Sequence, residues 1–174
     1  DVFSTVYSDD EEGGHFAALA MKERGRKDIV AVLGPQDNPA VVDRLRGYRA
    51  VLGEDLPDAN VIYTGWNNGD GYQAMHQILA REIAFDGVLC GSDRIAAGVI
   101  TALNEAGLSV PADVSVVGFD DHEIATRCVP ALTTVRQPLR EEGHMAANIA
   151  LDMIKGAEPT TSVMHMQLIQ RDSL

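Results

Sequence analysis

Residues 113–138 read DVSVVGFDDHEIATRCVPALTTVRQP, from Asp113 to Pro138. Val114 to Phe119 is an apolar, β-branched run of the kind that suits a buried parallel strand. It stops at two acids, Asp120 and Asp121. Leu132 to Arg136 is a second β-rich run. It ends in the polar side chain of Gln137, held extended by Pro138. In open α/β sheets, ligands bind in the crevice outside the carboxyl ends of the strands. Two successive strands therefore bring Asp120 and Gln137 to one edge of a sheet.

The same alternation extends outward in both directions. Val2–Ser8, Asp28–Leu33, Asn60–Thr64 and Phe85–Cys90 read as strands. Each is followed by a stretch with helical spacing. The first carries Phe16, Leu19, Ala20 and Glu23 and stops at Gly25. The second carries Val41, Leu45, Tyr48 and Leu52, the third Tyr72, Met75, Ile78 and Leu79, and the fourth Ile95, Val99 and Leu103. A β-α unit repeated at least four times demands a parallel sheet with helices on both faces. Leu139 to Gly156 is a long amphipathic helix, and Ser162 to Gln170 alternates as a single closing strand.

Bulk properties narrow the function classes. The 174 residues, 45% of them hydrophobic, suffice for one domain with a real core. No apolar run reaches the roughly 18 residues a membrane helix needs. The first residues lack the basic start and apolar centre of a signal peptide. A net charge of −12 repels a phosphate backbone, so nucleic acid is not expected to bind this chain by itself. The two cysteines, Cys90 and Cys128, sit in or beside apolar stretches and read as free thiols in a reducing compartment. No glycine-rich phosphate loop, nucleophile elbow or His-Glu-x-x-His sequence is present, and no cofactor or enzyme activity is indicated.

Several positions carry both a plain and a functional reading. Asp9, Asp10, Glu11 and Glu12 crowd a helix start, where acids match the dipole; Asp9 or Asp10 can equally border a cleft. Arg44 is either a surface ion pair or a planar five-donor fork for vicinal hydroxyls. Trp66, the single tryptophan, lies in the polar loop Gly65–Gly69, where it either covers a core edge or stacks on a ligand ring. Ser92 caps the helix that follows and can also reach a ligand. The small residues Ala96, Ala97, Gly98 and Ala102 permit close approach by the sheet, a helix or another subunit. Asp120, Asp121, His122 and Glu123 are adjacent and fan outward, which argues against a shared metal. Asp120, first after its strand, is the better ligand group.

The segment VPADVSVVGFDDHEIATRCVPALTTVRQP also resembles the most recognisable part of the lactose-repressor/galactose-repressor family of bacterial transcription regulators. DDEEGGHFAALAMKERGRKDIVAVLGP, RLRGYRAVL, FDGVLCGSDRIAAGVITALNEAGLSVP and MQLIQRDSL resemble further parts of their effector-binding domain, in the family's order and spacing. The resemblance covers nearly the whole chain. It implies the type I periplasmic-binding-protein fold, with the second lobe essentially complete (residues 9–138 and 167–174). Residues 1–8 and 139–166 would be a remnant of the first lobe, with helix 139–156 left partly uncovered. The DNA-binding headpiece would be absent.

The resemblance further implies a small effector, a sugar or sugar derivative, held by Arg44, Trp66, Asp120 and Gln137, with Asn38, Ser92 and Asp9 beside them. Asp10 stands where the family usually has Asn, and Ala40 cannot supply a polar contact found in other members. A homodimer interface is implied at Ala96, Ala97, Ile100 and Cys128. The expected protein is thus the sensing and dimerising part of a cytoplasmic repressor that meets operator DNA only through the headpiece. A periplasmic sugar-binding protein, a sensor of purine-type effectors and a small α/β enzyme are the competing readings.

Overall fold

The computed structural model describes residues 3–81 and 83–174. Five strands of the main sheet are parallel: β2 (Ile29–Leu33), β3 (Val61–Tyr63), β4 (Gly87–Cys90), β5 (Ser115–Asp120) and β6 (Thr133–Arg136). A sixth, β8 (Gln167–Ile169), lies antiparallel on β6, giving the order β3-β2-β4-β5-β6-β8. Val2 of the first expected strand lies outside the described residues. Phe3 and Ser4 are not strand, and the remainder is β1 (Thr5–Ser8), which pairs in parallel with β7 (Thr161–Met164) in a separate two-stranded sheet.

The closing segment is therefore two strands in two sheets, where one strand was expected. Alternation continues across both, so periodicity alone cannot place the break. It falls at His165–Met166, where Met166 N–H donates to Glu12 at 2.9 Å and its side chain enters the main core.

Helices cover both faces of the six-stranded sheet. Side chains alternate along β2: Ile29, Ala31 and Leu33 face α1 (Asp10–Glu23) and α2 (Pro39–Leu52). Val30 and Val32 face α3 (Asn68–Leu79) and α4 (Asp93–Glu105), with the short α5 (Glu123–Arg127) beyond. The buried face of α1 is Gly13, Gly14, Ala17, Ala18, Ala20 and Met21, and Leu19 lies exposed. The reason is close helix packing. A Cβ at Gly14 would overlap the carbonyl of Arg44, and one at Gly47 would overlap the carbonyl of Glu11. The α3–α4 pair repeats the device at Gly71 and Gly98.

The last residues complete the sheet. Ser173 is fully buried; its Oγ donates to Val116 O at 2.6 Å and accepts from Thr133 N–H at 2.8 Å. By contrast, α6 (Leu139–Ile154) has no buried residue, and Leu139, Leu151 and Ile154 are exposed. Its inner side and β1 border an apolar groove of about 540 Å³. No helix among the described residues is long and apolar enough to cross a membrane.

Candidate functional site

The carboxyl edge of β5 turns sharply. Asp120 and Asp121 hold φ angles of 111° and 56°, a region that side-chain-bearing residues avoid at a cost of about 1–3 kcal/mol each. The corner persists because it is tied on three sides. His122 N–H donates to Asp93 Oδ2 at 2.7 Å, and Thr134 Oγ1 donates to Asp93 Oδ1 at 2.5 Å. Arg136 and Arg171 both hold the Asp121 carboxylate, at 2.7 and 2.5 Å. Burial would raise the Asp121 pKa, but these two guanidinium groups outweigh it and hold the group below its ordinary value.

The corner aims Asp120 at two partners. Gln137 Nε2 donates to Asp120 Oδ1 at 2.6 Å, and Arg44 Nη1 stands 3.8 Å from the same oxygen. Arg44 is only 4% exposed. Its guanidinium lies 3.7 Å above the Phe119 ring, Nε donates to Asp10 Oδ1 at 2.8 Å, and Nη1 donates to the Gly91 carbonyl. Burial pushes the carboxyls of Asp10 and Asp120 upward, and the charge of Arg44 opposes it in both. A crevice of about 500 Å³ opens beside this cluster. It is lined by Asp120 and Gln137 on one side and by the start of α6 and His165 on the other. The site thus lies where the chain passes between its two sheets.

The structure gathers Arg44, Asp120 and Gln137 into one cluster, with Gln137 hydrogen-bonded to Asp120 and Arg44 in ion-pair range of it. Asp9 sits at the crossover: it caps α1 through Glu12 N–H, and its own N–H donates to Met164 O. Asn38 is the half-buried cap of α2, with its Oδ1 accepting from Ala40 N–H at 3.0 Å. Ser92 is buried and caps α4 by accepting from Ile95 N–H at 3.2 Å. Trp66 follows β3, on the opposite flank of the sheet from β6. Its half-buried indole covers Gly34 and packs against the cores on both faces.

The residues expected at an interface have split positions. Ala96 and Ile100 are buried in the chain's own core. Half-buried Ala97 and Cys128 line a shallow groove of about 240 Å³ beside Val129, which is 80% exposed.

Two residues of this site were not singled out by the sequence. Asp10 could be a dipole-matching acid or border the cleft, and it is the one that pairs with Arg44. Asp93, next to the Ser92 cap, is fully buried and organises the corner. The only clue lay in the β5 sequence. A Cβ at Gly118 would collide with Asp93 Oδ1, so glycine in a β-branched run marks a close approach.

Residues 18–174 match the periplasmic binding protein-like domain family. The chain belongs to that family. Within it, the chain is similar to the HTH-type transcriptional repressor PurR of Escherichia fergusonii, at 37% identity over the whole chain and 52% of that protein. It therefore spans about half the length of the curated relatives it matches. Among solved structures, it resembles the complex of the transcriptional regulator CelR with cellobiose, with a TM-score of 0.93 and 34% identity. That match covers 99% of this chain and 54% of the regulator. A LacI family transcriptional regulator from Enterococcus faecalis V583 with bound ribose gives a TM-score of 0.91 and 30% identity, over 99% and 64%. The α/β fold expected from residues 113–138, of the periplasmic-binding-protein type, is the fold observed, and the likeness to LacI-family repressors is borne out.

Proposed function

We propose that this periplasmic binding protein-like domain is the ligand-sensing and dimerising part of a LacI-type transcriptional repressor. Its effector is a small, sugar-like molecule, and the chain carries out no catalysis. The effector lies in the crevice between the two sheets, with Arg44, Asp120 and Gln137 as its primary contacts. Trp66, Asn38, Ser92 and Asp9 frame the same edge. One observation carries the reading: a buried arginine and a partly open carboxylate converge where the chain crosses between its two sheets. Binding there favours one disposition of the two units, which is the physical requirement for an allosteric switch.

The remaining assignments follow from that role. The second copy of the chain docks on the face bearing Ala97 and Cys128. Operator DNA is read by a headpiece outside these 174 residues, since the acidic charge of this chain repels phosphate. The working compartment is the cytoplasm. Residues 9–138 and 167–174 move as one lobe, and residues 3–8 and 139–166 belong to the other.

The test is a calorimetric titration of the chain with ribose, cellobiose and purine bases. Saturable heat for a sugar, lost in Arg44→Ala, supports the reading. Saturation by a purine base alone replaces the effector class and leaves the sensor. No response to any of them overturns the reading for this site.

A further inference from the structure

The joint between β7 and β8 reaches the Arg44 cluster through packed side chains alone. Met166 N–H donates to Glu12 Oε2 at 2.9 Å, which pins the joint to the first turn of α1. The Met166 side chain is buried in the same core as Phe119. The two meet over Gly13, where an added Cβ would stand 2.6 Å from Phe119 Cζ and 3.1 Å from Met166 Cγ. Glycine at this position therefore lets the tip of the ring and the methionine lie together against α1. The face of the same ring carries the Arg44 guanidinium, 3.7 Å from its centroid.

Resting on the effector reading above, we infer that Met166 is a positioning residue for the ligand site. Through the Phe119 ring it sets where the Arg44 guanidinium stands, and so ties the aim of Arg44 to the placement of the β7–β8 joint. Phe119 is fully buried, and packed interiors compress little and pass displacement on. Asp10 and the Gly91 carbonyl hold Arg44 by its Nε and Nη1. Those bonds lie at the edge of the guanidinium plane. The ring supports its face, with the attraction of a cation for an aromatic system. Methionine suits the place because its flexible thioether keeps contact with an aromatic ring as neighbouring backbone shifts.

The other two crossings between the sheets touch the cluster directly. The first, after β1, ends at Asp10, which bonds Arg44. The second, after β6, contains Gln137, which bonds Asp120. At the third, neither His165 nor Met166 bonds Arg44 or Asp120 among the described residues, so packing is the route it has. The carboxylates that anchor Arg44 and the joint, Asp10 and Glu12, share the first turn of α1. A ligand on Arg44 then favours the placement of the joint that seats the ring, and the joint favours the ligand by the same factor.

The experiment needs no ligand. A proton over the face of an aromatic ring resonates upfield of its ordinary position, so the Arg44 Nε–H signal in a proton–nitrogen NMR spectrum reports whether the Phe119 ring is in place. Met166→Ala empties the space at the tip of the ring, and Met166→Leu refills it. Glu12→Ala keeps the methionine and releases the joint from α1. Preserved dispersion of the backbone amides shows that each variant is folded, and Met166→Val replaces Met166→Ala if that protein is not. The expected result is a downfield move of the Arg44 signal in Met166→Ala and Glu12→Ala and its return in Met166→Leu, with the α3 and α4 amides on the far face of the sheet unmoved.

An unmoved Arg44 signal in the folded Met166→Ala chain overturns the inference. So does an equal move in Met166→Ala and Met166→Leu, because side-chain volume is then not what seats the ring. A response to Met166→Ala without one to Glu12→Ala also overturns it, since the ring is then set by the core and not by the joint. Equal movement of the α3 and α4 amides would be general loosening and count against it as well. Failure of every sugar in the calorimetric titration removes the effector reading and leaves these ligand-free shifts as they are.

Discussion

Thr134 Oγ1 donates to Asp93 Oδ1 at 2.5 Å, joining β6 to the start of α4 across 41 residues of sequence. Asp93 is fully buried, and burial pushes its pKa up to about 7 against the hydrogen bonds from Thr134 and the His122 N–H. The negative charges of Asp120 and Asp121 push in the same direction as burial. The strained corner that aims Asp120 therefore rests on a carboxyl group poised between its neutral and charged forms at neutral pH.

This sets a pH dependence with a definite sign. The folded chain binds the Asp93 proton more tightly than the unfolded chain, whose ordinary value is 3.8. The contribution to stability is complete below about pH 4 and is lost as the pH rises through about 7. A shift of that size corresponds to roughly 4 kcal/mol between the two ends. Asp93→Asn, which is neutral throughout, should flatten this part of the profile. Urea unfolding of both proteins across the window checks it; parallel profiles would count against Asp93 as the source.

Asp121 has the opposite sign. Its carboxyl is held low by Arg171 and Arg136, so its stabilising effect is present above its ordinary value and fades as acid is added. Arg171→Ala removes one of these partners and a second hydrogen bond, to the Leu132 carbonyl. The expected cost at neutral pH is about 1–3 kcal/mol, since both side chains are largely buried. The difference from the parent chain should shrink below about pH 4, as followed by denaturant midpoints in acid.

Two glycine substitutions should move stability in opposite directions. A methyl group at Gly14 meets the Arg44 backbone, so Gly14→Ala must separate α1 from α2, at a cost of about 2–3 kcal/mol. Gly143 is helical with no atom within 4 Å of its would-be Cβ. Gly143→Ala should stabilise by roughly 0.5–1 kcal/mol through helix propensity alone. Thermal melts of the pair decide the matter, and a destabilised Gly143→Ala would mean that α6 packs differently from the structure described.

The uncovered face of α6 should bind a hydrophobic dye. Leu151 and Ile154 are 55% and 82% exposed. The double variant Leu151→Lys/Ile154→Glu should lower anilinonaphthalene sulfonate fluorescence while changing stability by less than about 0.5 kcal/mol. Undiminished dye binding would place the apolar surface elsewhere.

The parallel sheet covered by helices on both faces was legible in the sequence because β-branched runs and 3.6-residue spacing alternate cleanly along it. The convergence of Asp120 and Gln137 was legible too, since both terminate neighbouring strands. What was hidden depends on contacts between distant segments. Asp10 and Arg44 lie 34 residues apart, and nothing local distinguishes Asp10 from Asp9 or Glu11. The buried face of α1 was misjudged at Leu19 because glycine and alanine carry little hydrophobic signal, yet here they set how closely two helices approach. The break between β7 and β8 was hidden from periodicity for a different reason, since both strands share one alternating pattern while serving different sheets; only the family resemblance divided the chain there, at 166/167.

Ser173 has a bearing on how this chain comes to fold as it is made. It bridges Val116 and Thr133, and no earlier segment supplies those bonds. On a ribosome, β5 and β6 emerge well before their last partner does. Until residues 171–174 clear the exit tunnel, Arg171 cannot reach Asp121 and the Asp120 corner lacks one of its ties. The strained turn is then completed only once Ser173 has emerged, and a nascent chain stalled short of residue 171 would present an open seam to chaperones in place of a finished sheet.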